Sequence, residues 1–263
     1  MKYCLSSRQS MEYLRQADEI KVAARDHKSI PDLTEKYPNA DIILNLGPTG
    51  DERITHENIK TYNILCKGKF IVCTPEVSPE TRHFFESNDI KYYWGYAIST
   101  PYELKAIAEN TKVCYVVLGA PLFFQQDMVA RYNIPVRAVP NVAHYNYLPH
   151  EDGVNGTWIR PEDIKLYEPT VAAIEFEGFE RQEQEQALYR IYAKDAAWSG
   201  ELDMIVQNLG AKPTNRMIPE DLAQVRRNCG QKCAAFGACR LCYRYFSLAD
   251  PEKLRPYIEK LKH

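Results

Sequence analysis

The chain has 263 residues, 45% apolar and 26% charged, with a formal net charge of −2. This is an ordinary globular composition, and it excludes disorder, collagen-like fibre and coiled coil. Near-neutrality also argues against wrapping duplex DNA over the whole surface. No apolar run approaches the ~20 residues that span a bilayer. The N-terminal MKYCLSSRQS lacks the apolar stretch of a secretory signal. The expectation is a soluble cytoplasmic protein of one large domain or two modest ones.

Eight runs rich in β-branched and aromatic residues follow one another: KYCLSS (2–7), EIKVAA (19–24), DIILNL (41–46), KFIVCT (69–74), IKYYWGYAI (90–98), KVCYVVLG (112–119), VRAVPNVA (136–143) and VAAIEFEG (171–178). Several are almost continuously apolar, as strands buried on both faces of a parallel sheet are. Helix starts lie between them. Ser10 can cap MEYLRQA, Ser78-Pro79-Glu80 opens a helix through Phe84 and Phe85, and Thr100-Pro101-Tyr102-Glu103 opens one through Ile107. Arg160-Pro161-Glu162-Asp163 has the same grammar of proline at the first helical position and acid in the first turn. Alternating strand and helix predicts an α/β fold with a parallel sheet, and eight strands predict a (β/α)8 TIM-like barrel. A doubly wound open sheet is the competitor. No GxGxxG or GxxxxGK[ST] turn exists to support nucleotide binding by those routes.

The eighth strand leads to a long helix over about 181–208, and Leu209-Gly210 reads as its end. Residues 1–210 are therefore expected to form the barrel. Residues 211–263 should form a C-terminal extension: a connector (211–222), a cysteine-rich segment and a terminal helix (251–262). The longest loop is HYNYLPHEDGVNGT, 144–157.

In a barrel, chemistry sits at the C-terminal ends of the strands. Arg25, Asp26 and His27 follow the second run, Asn45 the third, Thr74 and Glu76 the fourth, and Asn141, His144 and Tyr145 the seventh. In the eighth, Glu175 and Glu177 alternate with Ile174 and Phe176, so both carboxylates should share one face. If that face is the lumen they need partners, because an unpaired buried charge is costly. Arg25 and Arg137 are the proposed partners. Arg25-Asp26 can equally be a local ion pair. The predicted catalytic set is Glu175, Glu177, Arg25 and His144.

Four of the eight cysteines fall within CGQKCAAFGACRLC, at Cys229, Cys233, Cys239 and Cys242. A disulfide scaffold suits short secreted chains. Four thiolates spaced C-x3-C-x5-C-x2-C can instead surround one metal centre, a [4Fe-4S] cluster first and zinc second. Cys4, Cys66, Cys73 and Cys114 stand singly in apolar runs and read as small core residues. Charge is split along the chain, with residues 211–263 carrying +6 and residues 1–210 carrying −8. The tail is thus either a solvated basic end or a surface for RNA or a protein partner.

The stretch TWIRPEDIKLYEPTVAAIEFEGFERQEQEQALYRIYAKDAAW resembles the collagenase-like peptidases of family U32. Ile159-Arg160-Pro161-Glu162-Asp163-Ile164 is similar to that family's L-S-P-x-D-L segment, and Phe176-Glu177-Gly178 to the end of its K-I-E-G strand. Tyr189 and Tyr192 match its spaced helix tyrosines. Glu175 stands where the family has lysine, and the cysteines lie downstream of where the family places them. The resemblance implies a TIM-like barrel and iron–sulfur-dependent modification of a small-molecule or RNA-borne substrate, hydroxylation among such reactions. Peptidase chemistry finds no motif, since neither HExxH nor GxSxG is present. The rival reading is a non-catalytic scaffold whose structural Cys4 zinc site docks a partner through the basic tail.

Overall fold

The computed structural model describes residues 1–47, 54–75, 77–98, 101–118, 129–139, 164, 170–176 and 182–194. Nine strands form one sheet: β1 (Lys2–Ser6), β2 (Glu19–Ala23), β3 (Asp41–Asn45), β4 (Phe70–Thr74), β5 (Lys91–Trp94), β6 (Ala97–Ile98), β7 (Val116–Leu118), β8 (Val136–Ala138) and β9 (Val171–Glu175). Their order across the sheet is β5-β4-β3-β2-β1-β9-β8-β7-β6, and every pairing is parallel. The helices are α1 (Met11–Leu14), α2 (Ile30–Lys36), α3 (His56–Leu65), α4 (Pro79–Ser87), α5 (Pro101–Asn110) and α6 (Gln182–Ala193), with a 3-10 segment at Ala24–Ser29.

The two outermost strands, β5 and β6, are consecutive in the chain and separated only by Gly95 and Tyr96. Three virtual bonds of 3.8 Å let Trp94 and Ala97 lie at most about 11 Å apart, so the sheet must curl until its edges nearly meet. The Cys114 amide donates to the Tyr92 carbonyl across that seam at 2.8 Å. The result is a nearly closed nine-stranded parallel barrel. The predicted run 90–98 is split at Gly95 and Tyr96, just after the Gly95 amide closes the β4–β5 ladder on the Thr74 carbonyl (2.9 Å). A side chain there is crowded: a Cβ on Gly95 would sit 2.7 Å from Cys73 Sγ, so one of the two must shift.

Strand alternation sorts the residues into two shells. Leu5, Ile20, Val22, Ile42, Leu44, Phe70 and Val72 face outward and pack with helix residues such as Ile30, Leu33, Ile59, Phe85 and Leu188. Cys4, Ile43, Ile71, Cys73, Tyr93, Tyr115 and Ala173 form a second cluster on the inward face. A bulge between β8 and β9 sets Arg137 opposite Ala173 and leaves Ala172 unmatched.

Ser10 stands at the N-cap of α1 but its side chain makes no cap hydrogen bond, whereas two later helices are capped. Ser78 Oγ accepts from the Thr81 amide at 3.3 Å ahead of Pro79. Thr55 and Asn58 form a reciprocal capping box for α3. The α2 and α3 helices were not among the named sequence starts. The readable signal was Pro31 at the start of α2, and for α3 the Thr55-x-x-Asn58 spacing, with asparagine standing where Glu or Gln is usual. The sixth predicted strand is shorter than its run, since 112–115 lead in as coil. The boundary at 210, the 211–263 extension, the 144–157 loop and the helix beyond 194 lie outside the described residues.

Candidate active site in the barrel lumen

A barrel interior is usually filled by branched apolar side chains. Here the inward positions of β1, β2, β3, β8 and β9 carry Lys2, Glu19, Lys21, Asp41, Arg137 and Glu175. They form one continuous ladder. On the N-terminal side Lys2 Nζ meets Asp41 Oδ2 at 2.5 Å and Glu19 Oε1 at 3.9 Å. Arg137 then bridges two strands, with Nη2 donating to Glu19 Oε2 and Nη1 to Glu175 Oε2, the latter at 3.1 Å. Lys21 Nζ donates to Glu175 Oε1. Ser6, the last residue of β1, is the register partner of Lys21, so this ammonium lies toward the C-terminal side.

The centre of the ladder is a clamp. Tyr115 donates to Glu19 Oε1 (2.9 Å) and Tyr93 to Glu175 Oε2 (3.0 Å). The same two rings cover the Arg137 guanidinium at 4.5 and 4.8 Å. Each carboxylate thus receives one guanidinium nitrogen and one phenol. Arg137 Nε has no hydrogen-bond partner among the described residues. Arg137 and Glu19 are fully buried and Glu175 is 2% exposed. Among the described residues three cations face three anions, and the buried members are compensated pair by pair.

Titration follows from this packing. Burial works against the Arg137 charge, but Tyr93, Glu19 and Glu175 outweigh it and hold its pKa well above the ordinary value. Burial, and then the Glu175 charge, pushes the Cys4 thiol far up. Burial raises Tyr93 against the opposing pull of Arg137, and it raises Tyr115 with help from Glu19. These groups stay neutral donors between the ions. Burial also opposes the charge on Lys2, yet the hydrogen bond and charge of Asp41 leave its pKa raised.

A further carboxylate guards the C-terminal side. Glu185 of α6 is buried and accepts from the Ser6 amide (2.7 Å) and Gln9 Nε2 (2.5 Å). Burial pushes its pKa up. The Ser6 and Gln9 hydrogen bonds oppose that shift, and the charge of Glu175 adds to it.

Of the predicted catalytic residues, Glu175 is in the lumen with Arg137 as its partner, as expected. Arg25 instead ends up on the exposed 3-10 segment, where its Nε lies 3.6 Å from Asp26 Oδ2. Its proposed place beside Glu175 is taken by Lys21. The strand ends at Ala23, and the turn of 3-10 helix that follows carries Arg25 out to solvent. His27 Nδ1 contacts the Tyr62 hydroxyl at 2.7 Å. Glu177, His144 and the cluster ligands Cys229, Cys233, Cys239 and Cys242 lie outside the described residues. Cys4, Cys66 and Cys73 are buried and Cys114 is half-buried, as their apolar surroundings predicted. Among the described residues no group of three or more His, Cys, Asp or Glu could hold a metal ion, and no helix is long and apolar enough to cross a membrane.

Sequence reasoning missed Glu19, Lys21, Lys2 and Asp41. The signal was present: Glu19 and Lys21 alternate with Ile20 and Val22 as Glu175 does with Ile174.

No protein-family profile and no curated protein matches the chain. Among solved structures it is similar to a cube-shaped, highly porous protein cage designed by fusing symmetric oligomeric domains, at 15% identity and a TM-score of 0.44, covering 73% of each chain. It is also similar to a member of the enolase superfamily from Agrobacterium tumefaciens, at 14% identity and a TM-score of 0.43. That match covers 70% of this chain and 52% of the other.

Proposed function

We propose that this protein is a barrel enzyme of (β/α)8 type, with β5 and β6 as two halves of one broken strand. Its acid–base centre is the Lys21–Glu175 pair on the C-terminal side of the lumen. The observation that carries this reading is the ladder itself. Retaining the buried ions Glu19, Arg137 and Glu175 inside a barrel gains little stability over apolar packing, and perturbed titratable clusters concentrate at functional sites. Glu175 is fixed by Arg137, Tyr93 and Lys21, which makes it a preorganised acceptor. Lys21 is 13% exposed, so it is the member of the pair that solvent reaches. Its ammonium can donate a proton or stabilise a developing anion, and Glu175 holds it in place. The substrate is a small molecule or an RNA-borne group.

The cysteine run at 229–242 and the resemblance to the collagenase-like peptidases extend this proposal. The four thiol donors Cys229, Cys233, Cys239 and Cys242 suit a [4Fe-4S] cluster, with zinc as the alternative. When bound, such a cluster supplies electrons or Lewis acidity, in keeping with hydroxylation or related redox modification.

The test is turnover by full-length protein prepared without air, supplied with a metabolite extract and with bulk RNA and read by mass spectrometry. Consumption of a compound by wild type, lost in Lys21→Met and in Glu175→Gln at unchanged folding, is the expected result. Undiminished turnover in both variants would overturn the assignment.

A further inference from the structure

Arg8 lies two residues past β1 and Arg25 two residues past β2, on adjacent strands of the same rim. Both approach one carboxylate oxygen. Arg8 Nη2 is 3.9 Å and Arg25 Nε 3.6 Å from Asp26 Oδ2, and the three side chains are 52%, 59% and 42% exposed. Neither distance is a hydrogen bond. Among the described residues two guanidiniums therefore share one anion, leave a charge of +1 on the three, and keep their fork-shaped donor sets uncommitted in these contacts. Exposed ion pairs of this length hold side chains only weakly.

The backbone beneath Arg8 is firmly placed. Its carbonyl accepts from Gln182 Nε2. The neighbouring Gln9 is buried; its Nε2 donates to Glu185 Oε2 and to the Gln182 carbonyl (3.2 Å), and its Oε1 accepts from Gln186 (2.9 Å). A loosely paired cationic rim on a rigid seat suits an incoming anion better than it suits Asp26 alone.

We propose that Arg8 and Arg25 form the phosphate-gripping edge of the mouth above Lys21, so that the substrate class is a phosphomonoester. Planar guanidiniums bind phosphate oxygens in bidentate fashion, and a dianion outbids a single carboxylate for two cations. Asp26 keeps the two arginines together and out of mutual repulsion while the site is empty. This proposal deepens the lumen reading and rests on it for the direction the substrate faces. An RNA backbone offers the same phosphate oxygens at one charge per diester, and the experiment separates the two sources.

Full-length protein is titrated with inorganic phosphate, with glycerol 3-phosphate and with a single-stranded oligoribonucleotide, by calorimetry. Wild type, Arg8→Gln, Arg25→Gln, Asp26→Asn and the remote control Lys105→Ala are compared. Saturable binding of the two small anions is expected. It should weaken about ten-fold in each arginine variant, remain unchanged in Lys105→Ala, and tighten about three- to ten-fold in Asp26→Asn, which removes a competing unit charge. Binding by the oligonucleotide alone, with the same arginine dependence, keeps the phosphate grip and assigns it to RNA, overturning the phosphomonoester. Binding that ignores both arginines, or that weakens in Asp26→Asn, overturns the site. Lys21→Met should leave phosphate affinity unchanged while removing turnover, so failure here is distinct from failure of the lumen proposal.

Discussion

Replacing Arg137 by methionine removes the one cation that joins Glu19 to Glu175. Glu175 keeps Lys21 and Tyr93. Glu19 is left fully buried with the Tyr115 hydroxyl at 2.9 Å and the Lys2 ammonium at 3.9 Å, beyond hydrogen-bond reach. Breaking a buried pair while leaving its carboxylate behind costs about 3–5 kcal/mol, and the lost stacking on Tyr93 and Tyr115 falls within that range. For a chain of this size each kcal/mol lowers Tm by about 2–4 °C, so the expected loss is about 6–20 °C. Thermal unfolding followed by circular dichroism measures it, and urea unfolding gives the free-energy cost. Glu19→Gln in the same background should restore part of the loss, with a coupling energy of about 1–3 kcal/mol between the two sites. A single variant within about 1 kcal/mol of wild type, or additive double-mutant effects, would refute the clamp, since only uncompensated burial predicts both numbers.

Three further outcomes follow from the same geometry. Gly95→Ala should destabilise by about 1–3 kcal/mol through contact with Cys73 Sγ, and Cys73→Ala in that background should relieve most of it in the same unfolding assay. Glu185 has a native pKa raised above its ordinary value of 4.5, so the folded state holds its proton more tightly. Its contribution to stability is full below that value and declines as pH rises through the raised one. A pH series of unfolding free energies should show this decline in wild type and not in Glu185→Gln. Protein prepared without air should contain iron and sulfide in equal amounts, both lost when Cys239 and Cys242 become serine. Zinc without sulfide would select the structural alternative.

The barrel was legible because the strands announce themselves. DIILN and FIVCT are apolar on both faces, and such runs pair only when helices and lumen cover both sides. The need for glycine at position 95 was not legible, because it depends on where Cys73 Sγ lies, and Cys73 is distant in sequence. Glu175 and Arg137 emerged as partners from strand alternation. Applying the same rule to EIKVA and KYCLS would have delivered Glu19, Lys21 and Lys2. Arg25 was misplaced for a local reason: the strand ends two residues before it, and the 3-10 turn decides its direction. Glu185 belonged to a helix whose polar residues all look alike in sequence. Only its docking against Ser6 and Gln9 marks it as buried.

Lys21 is the residue on which the proposed chemistry turns, and nitrogen NMR of the lysine ammonium groups tests its placement most directly. At neutral pH Lys21 should give a distinct, slowly exchanging ammonium signal that collapses to ordinary behaviour in Glu175→Gln. A Lys21 signal that exchanges as freely as that of the half-exposed Lys105 in the wild-type protein would contradict the lumen ion pair and remove the acid–base centre with it.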